Sequence, residues 1–429
     1  MLQTIAPKSK FKAGMYLLET LSSGMYNDPL TIYREYIQNA VDSIDLVNRR
    51  KILSVKINLD PSNKKITFWD NGAGIPSCDA LEVLSAIGSS NKVNRGMRGF
   101  RGIGRLGGLA FCEKATFKTK AYDETIESVQ EWNCKELKRI LSDNNESSET
   151  LKKLFDRTTN FYQVNSKNPK NSYFKVELEG VHSFRNYVFD LKRVHDYLAS
   201  IAPVPFSSET FSFGKTISQF LNKKLDRYST YNIYLNGHKI YKPYKDEIKI
   251  TKTGYDYISE IKLFEINKEN ESLAYGWYGS REDLIGAIAK GEKSSGIRVR
   301  LGNILMGDEH LLDECFRELR FNSYFIGEIH INSPMLIPNS RRDDFIDNDY
   351  KTYFYNAISR KIGLPLSKEV RKRSRLYALI KKDASYSNKR TQNSVEKNDK
   401  ISIIELRKSL NEHCNNCPKL NKIFESLNK

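Results

Sequence analysis

Apolar side chains recur every three or four positions between residues 30 and 50, and this spacing predicts an amphipathic helix. The positions are Ile32, Tyr36, Ile37, Ala40, Val41, Ile44 and Val47. Residues 52–59 and 65–69 instead alternate apolar and polar side chains, as strands do, and Pro61-Ser62-Asn63 between them favours a turn. Two strands joined by a turn are therefore expected directly after the helix.

The rest of the chain predicts a mixed α and β protein with several parts. Residues 135–170 are polar and charged, typical of an insertion, and 173–178 reads as a strand. A helical stretch at 190–201 leads into Ala202-Pro203-Val204-Pro205, which indicates a domain boundary, and strand patterns return from residue 230. We expect a first domain over 1–200, a second over 201–366, a basic and polar linker over 367–400 and a helical tail over 401–429.

Composition narrows the class of protein. Hydrophobic residues make up 39% of the 429, enough for sizeable cores, and the formal net charge is +17. This surplus favours anionic partners such as nucleic acid, nucleotides or acidic proteins, although a lysine-rich soluble surface would also produce it. No apolar run is long enough to span a bilayer and no secretion signal is evident. Six scattered cysteines fit reduced thiols, so we expect a cytoplasmic protein without a membrane anchor.

The predicted first helix carries Glu35, Asn39 and Asp42 at spacings of four and three, which places them on or near one face. A positioned carboxylate can deprotonate water, and an Asn carbonyl is a suitable ligand for Mg²⁺. Considered alone, the helix is better explained by an ordinary exposed polar face.

A second group, Asp70-Asn71-Gly72-Ala73-Gly74-Ile75, follows the predicted strand 65–69. A carboxylate at a strand end can accept a hydrogen bond from an exocyclic amine such as that of adenine. Gly72 and Gly74 would let the backbone approach a flat ligand closely. A simple turn is the competing interpretation.

A third group is rich in glycine and basic residues. Ser89, Ser90, Asn91 and Lys92 precede Gly99-Phe100-Arg101-Gly102-Ile103-Gly104, with Arg105 next in the chain. Dense glycine frees backbone amides to surround phosphates, and the arginines add positive charge. The segment lacks the Gly-Lys-Ser/Thr ending of a P-loop, and a flexible surface loop is the competing interpretation.

In order and spacing, the three groups together resemble the GHKL ATPase superfamily, which includes the ninety-kilodalton heat-shock chaperones, gyrase B subunits, MutL, MORC proteins and histidine kinases. Tyr26-Asn27-Asp28-Pro29 and Ser89-Ser90-Asn91-Lys92 resemble the HtpG-like chaperone branch most. The resemblance implies an α+β architecture: a Bergerat-type ATP-binding α/β sandwich, then a mixed α/β middle domain that is ribosomal protein S5-like, then a short helical tail. That branch's long C-terminal dimerisation domain has no counterpart in the sequence.

The resemblance also implies roles for particular residues. Glu35 would be the general base for water attack, Asn39 would carry Mg²⁺, and Asp70 would bind the adenine amine. Asp42, Gly72, Gly74 and Ile75 would complete the ATP pocket, with Ile75 packed on the adenine ring. Ser89, Ser90, Asn91 and Lys92 would lead into a lid in which Gly99, Gly102, Ile103 and Gly104 close over the phosphates.

Two further segments bear on the resemblance, one in the first domain and one in the second. The branch usually has a Gly-Thr pair opening the last pocket strand, but the corresponding region here reads Ser172-Tyr173-Phe174, with no matching Thr. In the second domain, the segment 336–343 resembles a catalytic loop whose arginine, here Arg341, contacts the γ-phosphate. A surface ion-pair loop with Asp343 and Asp344 is the alternative for that segment.

The resulting expectation is an ATP-hydrolysing, chaperone-like switch that acts on a protein client and is a homodimer at least with ATP bound. The alternative is an ATP-gated nucleic-acid clamp of the MORC or MutL kind, favoured by the net charge and by the basic stretch 368–382. Residues 401–427 predict a heptad-like helix that either pairs with another chain or packs on its own body. Within it, His413, Cys414 and Cys417 lack an evident fourth ligand for zinc.

Overall fold

The computed structural model describes residues 28–47, 52–87, 104–143, 150–182, 185–226, 228–251 and 254–390. The chain divides into two compact units. The first comprises Met1–Pro205 and Thr230–Lys242, and the second comprises Phe206–Ser229 and Pro243–Lys429. The division falls close to the predicted boundary at residue 201, but the chain returns to the first unit for 13 residues that the sequence pattern assigned to the second domain.

An eight-stranded sheet forms the centre of the first unit, with the strand order β5-β4-β3-β6-β2-β1-β7-β8. Neighbouring strands are antiparallel except β1 and β7, which are parallel. The strands are β1 Ser54–Asp60, β2 Lys65–Asp70, β3 Lys114–Lys120, β4 Ile126–Asn133, β5 Thr159–Asn165, β6 Tyr173–Glu179, β7 Asn232–Leu235 and β8 His238–Lys239.

Six helices and a 3-10 turn accompany this sheet in the described residues. They are α1 Thr31–Asp45, α2 Ala80–Ser85, the 3-10 turn Gly104–Gly108, α3 Cys134–Ser142, α4 Leu151–Thr158, α5 Arg185–Val188 and α6 Leu191–Ile201. The apolar face of α1 packs on β2, where the rings of Tyr33 and Tyr36 lie 5.4 and 4.7 Å from Phe68. Burial of these aromatic side chains fixes α1 against the strand that ends at Asp70.

The strands that follow residue 230 begin in the first unit, contrary to the sequence prediction. The sequence pattern placed its strands in the second domain, yet β7 pairs with β1, with Ile233 beside Val55 and Leu235 beside Ile57. Ile233 and Leu235 are buried, as the alternating pattern predicts. Alternation shows which side chains of a strand are buried, but not which sheet the strand joins.

The second unit contains a six-stranded sheet in the order β13-β12-β14-β11-β10-β9, in which β12 and β14 are parallel. Its strands are β9 Glu247–Ile250, β10 Gly254–Lys268, β11 Glu271–Arg281, β12 Gly296–Leu301, β13 Ile304–Met306 and β14 Ile326–Ile331. Its helices are α7 Gly214–Lys224, α8 Asp349–Ile358 and α9 Leu364–Arg390, with a π-helical turn Ser359–Gly363 between the last two. Short 3-10 turns lie at Asp313–Cys315 and Leu319–Tyr324.

Two apolar clusters stabilise the second unit. One contains Phe211, Tyr244 and Trp277, and the other contains Phe316 and Phe354 together with residues from α9. Buried ion pairs accompany them: Arg281 bonds Asp256 at 2.8 Å, and Arg300 bonds Glu328. Because the charges are paired and hydrogen-bonded, their burial is tolerated.

Part of the predicted linker is helical. α9 runs from Leu364 to Arg390, whereas the sequence pattern predicted a linker from 367 to 400. The stretch 367–390 contains no glycine or proline, and Leu366 and Val370 pack into the core, so the helix continues from a packed start. The heptad-like tail, including His413, Cys414 and Cys417, lies outside the described residues.

No helix among the described residues is both long enough and apolar enough to cross a membrane. The four cysteines in this part of the chain, Cys78, Cys112, Cys134 and Cys315, are free thiols.

Candidate functional site

The helix α1 carries three of the predicted site residues and is buried along nearly its whole length. Glu35 is only 8% exposed, and the Nε of Arg34 lies 3.7 Å from its Oε1. Asp42 is buried, and Asn39 is half-buried. Withdrawing a carboxylate from water costs free energy unless a partner or a function compensates. The burial of Glu35 and Asp42 therefore argues against an ordinary exposed polar face.

Glu35 lies against the 3-10 turn that begins at Gly104. A Cβ added to Gly104 would lie 2.3 Å from the Oε2 of Glu35, closer than side chains pack. One position further along each element, the Tyr36 hydroxyl donates a hydrogen bond of 3.0 Å to the carbonyl of Arg105. The end of the predicted glycine-rich segment is thus in direct contact with the predicted general base.

The Arg105 side chain does not act as the sequence pattern suggested. Its Nη1 donates a 2.8 Å hydrogen bond to the carbonyl of Val83, and its Nη2 donates to the carbonyl of Ala86. Both carbonyls lie at the C-terminal end of α2, where a cation is electrostatically favoured. Burial lowers the pKa of Arg105 to about 10. This guanidinium therefore anchors the 3-10 turn to α2 and is not placed to add charge around phosphates.

Asp70 ends β2 as a buried carboxylate. Its Oδ1 accepts a 2.9 Å hydrogen bond from the amide of Gly72, and the Ser43 side chain on α1 also bonds it. Burial nevertheless raises the pKa of Asp70 to about 7, because desolvation outweighs these two hydrogen bonds. A Cβ on Gly72 would lie 2.3 Å from the Ser43 Oγ, so only glycine fits between the strand end and the helix.

The loop after Asp70 is tied to β3. Gly74 has a φ of +70°, and a Cβ there would lie 2.1 Å from the carbonyl oxygen of Lys120. The next amide, that of Ile75, donates a 2.9 Å hydrogen bond to the Thr119 Oγ1. Glycine is required at position 74 for two reasons: the backbone is left-handed there, and the backbone of β3 approaches closely.

The sheet register brings a threonine to the face of the sheet that carries Asp70. Phe174 on β6 lies opposite Asp70 on one side and opposite Thr119 on the other. Directly opposite residues share a face, so Asp70, Phe174 and Thr119 point to the same side of the sheet. Just before β6, the Ser172 hydroxyl donates a 2.6 Å hydrogen bond to the Gly72 carbonyl. A threonine thus shares a face of the sheet with Asp70, but it comes from β3.

Sequence reasoning missed Thr119, Ser43 and Ser172, which all contact the Asp70–Ile75 loop. Thr119 is the next-to-last residue of β3, and Ser43 follows Asp42 on α1, so neither belongs to a motif. The pairing of β2 with β6 and of β6 with β3 brings Ser172 and Thr119 to the loop, and the packing of α1 on β2 brings Ser43 there.

The site also depends on residues beyond the described ranges. Ser89, Ser90, Asn91, Lys92, Gly99, Gly102 and Ile103 lie there, so their predicted contacts stay predictions. No group of three or more His, Cys, Asp or Glu side chains in the described part of the chain is arranged to hold a metal ion. Mg²⁺ in nucleotide sites is held by one or two protein oxygens together with phosphates and water, so a single ligand such as Asn39 suits it.

In the second unit, the predicted arginine loop is an ordered hairpin. Pro338 and Phe345 form an isolated bridge, and the Asn339 amide donates a 2.8 Å hydrogen bond to the Asp344 carbonyl. Asp344 in turn pairs with Lys351 at 2.8 Å. Arg341 lies at the exposed tip of this hairpin. The hairpin is therefore held in place by contacts that include Asp344.

Comparison with known proteins agrees with this geometry. Residues 31–165, about a third of the chain, match the family model of the histidine kinase-, DNA gyrase B- and HSP90-like ATPases. The chaperone protein HtpG of Acinetobacter baylyi is 32% identical over 100 residues, which cover 20% of this chain and 16% of that protein. HtpG of Mesorhizobium japonicum is 34% identical over 85 residues, which cover 17% of this chain and 14% of that protein.

Residues 31–165 are therefore similar to the GHKL superfamily of ATPases, as the three motifs predicted. Within that superfamily, the similarity is to the HtpG branch of the ninety-kilodalton heat-shock chaperones. The aligned stretch spans less than a fifth of either relative. The mixed α/β fold with its eight-stranded sheet agrees with the predicted fold class. The ribosomal protein S5-like character of the second unit stays a prediction.

Proposed function

We propose that the protein is a chaperone-like conformational switch that binds ATP with Mg²⁺, hydrolyses it to ADP and phosphate, and acts on a protein client. The observation that carries this proposal is the buried Glu35 held against Gly104, with the buried Asp70 on the strand beneath the same helix. The ATPase family match and the two HtpG relatives support it.

In this proposal, Glu35 accepts a proton from the water that attacks the γ-phosphorus. A general base must lie within hydrogen-bonding reach of that water, and the close contact with Gly104 holds the carboxylate in position. Asn39 holds Mg²⁺, which neutralises phosphate charge when bound. The amides freed by the glycine-rich segment surround the phosphates, so this chain contributes mainly positioning and charge compensation.

Asp70 binds the nucleobase by accepting a hydrogen bond from the exocyclic amine of adenine. Thr119 and Ser172 fix the loop that carries Gly72 to Ile75, so the shape of this wall is set before the nucleotide arrives. Preorganisation of this kind reduces the entropy lost on binding.

The switch follows from the position of the pocket next to the predicted lid. Closure of a lid over bound ATP stabilises one conformation, and hydrolysis releases it. We further propose that the closed state is a homodimer of a cytoplasmic protein and that turnover is slow.

The test combines phosphate release with molecular mass measured with and without a non-hydrolysable ATP analogue. We expect Mg²⁺-dependent phosphate release and a larger, analogue-dependent mass. Phosphate release no faster than that of Glu35→Ala would contradict the assignment as an ATPase, and an unchanged mass would contradict the dimeric closed state. Glu82→Ala removes an exposed carboxylate of the same unit and serves as the matched control.

A further inference from the structure

A row of cations lies on the outer face of α9 in the second unit. These residues recur three or four positions apart, so they share one face of the helix. They are Lys368, Arg371, Lys372 and Arg375, followed on the same face by Leu376 and Leu379. The opposite side of the helix is occupied, because Leu366 and Val370 belong to the apolar core.

The row borders an open groove with a volume of about 360 Å³, to which Arg317 also contributes. Its lining consists of the five cations and the two leucines, with no acidic side chain among the described residues that form it. The cations of one face extend about 10 Å along α9, at a rise of roughly 1.5 Å per residue.

Ion pairing leaves this groove with an excess of positive charge. Arg371 bonds Glu318 at 2.9 Å, but Glu318 is shared with Arg320 at 2.8 Å. In contrast, Lys368, Lys372 and Arg375 form no ion pair with any residue in the described part of the chain. Glu318 is therefore already compensated by two arginines.

Directly after Lys372 in the chain, Arg373 is engaged differently. It pairs with Glu369 at 2.9 Å and also donates to the carbonyl of Glu282. The helix thus separates cations that hold the fold from cations that face outward. An outward row without partners is costly in self-repulsion unless an anion binds there.

We propose that this groove binds the sugar–phosphate backbone of a nucleic-acid duplex. Lysine and arginine one helical turn apart match a chain of phosphates, and the guanidinium of Arg375 can hold a phosphate bidentately. The lining contains no Asn, Gln or acidic side chain to bind adenine or cytosine edges, so we expect contacts to phosphates to dominate over base contacts. The net charge of +17 favours the same partner at longer range.

Two other anionic partners fit the groove less well. A membrane-surface helix buries a broad apolar face, but this face offers only Leu376 and Leu379, and Leu366 and Val370 are already in the core. An acidic protein would have to match a fixed pattern of side chains, whereas a duplex presents about one charge per 1.7 Å in any register.

The proposal is independent of the ATPase assignment. The groove residues belong to the second unit and none of them is a predicted nucleotide ligand. Duplex binding without ATP, unchanged by Glu35→Ala, is therefore expected, and its failure would leave the proposed ATPase intact.

The test measures binding of a labelled 25-base-pair random-sequence DNA duplex to the full chain by fluorescence anisotropy between 50 and 200 mM salt. The test variant combines Lys368→Gln, Lys372→Gln and Arg375→Gln. We expect its affinity to fall by about tenfold or more at the lowest salt, and the salt slope to shrink by about 2.7 if each side chain neutralises one phosphate.

The matched control removes the same charge elsewhere in the second unit, through Lys215→Gln, Lys223→Gln and Lys290→Gln at exposed positions. Near wild-type binding by this control supports the groove. An equal loss in both variants, or no binding of duplex by the wild type at 50 mM salt, overturns the proposal. Two other anionic probes are tested in parallel: vesicles that contain phosphatidylserine, and poly-glutamate. Loss of their binding in the groove variant while duplex binding is retained would also overturn it.

Discussion

Gly104 lies against Glu35 so closely that a Cβ on the glycine would be 2.3 Å from the Oε2 of the carboxylate. The backbone of Gly104 does not have a positive φ, so Gly104→Ala adds a methyl group without forcing a rare backbone conformation. We expect this variant to fold, to bind ATP and to hydrolyse it about 100-fold more slowly, because a displacement of about 1 Å misplaces the base. Steady-state phosphate release together with thermal unfolding tests this, and an unchanged rate would show that the contact does not position Glu35.

Asp70 predicts a pH dependence of nucleobase binding. With a pKa of about 7 in the unliganded protein, its carboxylate is mostly protonated at pH 6 and mostly ionised at pH 8. The ionised form accepts the hydrogen bond from the adenine amine, so binding should strengthen as pH rises through 7, by about tenfold between pH 6 and 8. Adenosine is the suitable probe, since it carries no phosphate that titrates in this range.

The control for this pH profile is Asp70→Asn, which keeps a carbonyl acceptor and loses the titration. A profile that is flat for the wild type, or that persists in Asp70→Asn, would assign the pH dependence to another group.

The raised pKa of Asp70 also has a consequence for stability. The folded state holds this proton between pH 4 and 7 while the unfolded chain does not, so the free energy of unfolding should decrease as pH rises over that range.

Gly74 offers a test of the loop between β2 and β3. Gly237 is a matched comparison, because it also has a positive φ, +84°, but open space where a Cβ would be. We expect Gly237→Ala to cost about 1–2 kcal/mol from backbone conformation alone. Gly74→Ala should cost about 1–3 kcal/mol more, because its Cβ would meet the Lys120 carbonyl. Denaturant unfolding of both variants measures the difference, and equal losses would mean that the loop yields without cost.

Arg341 carries the prediction for hydrolysis that comes from the second unit. If its guanidinium neutralises charge on the transferring phosphoryl group, Arg341→Ala should slow hydrolysis by about tenfold or more with a smaller change in ATP affinity. The neighbouring Arg342→Ala is the control, since it removes the same charge from the same hairpin. A loss confined to Arg342→Ala, or shared equally by both, would contradict the choice of Arg341.

The sequence pattern located α1, β1 and β2 because each depends on local periodicity. It did not assign β7 to the first sheet, because strand pairing is a long-range property that alternation does not encode. For the same reason Thr119 was not recognised: it reaches the Ile75 amide only because β3 lies one strand beyond β6. The helix α9 was not predicted, because the polar composition of this stretch indicated a linker. The helix begins in a packed core, which the composition does not show.

The central claim is that Glu35 performs the chemistry of a functional ATP site, and the most direct measurement pairs binding with hydrolysis in Glu35→Ala. ATP affinity is measured by calorimetry and phosphate release under single-turnover conditions, with Glu82→Ala measured in parallel. We expect Glu35→Ala to bind ATP with wild-type affinity and to release no phosphate above background, while Glu82→Ala behaves as wild type. Full hydrolysis by Glu35→Ala would show that Glu35 is not the general base.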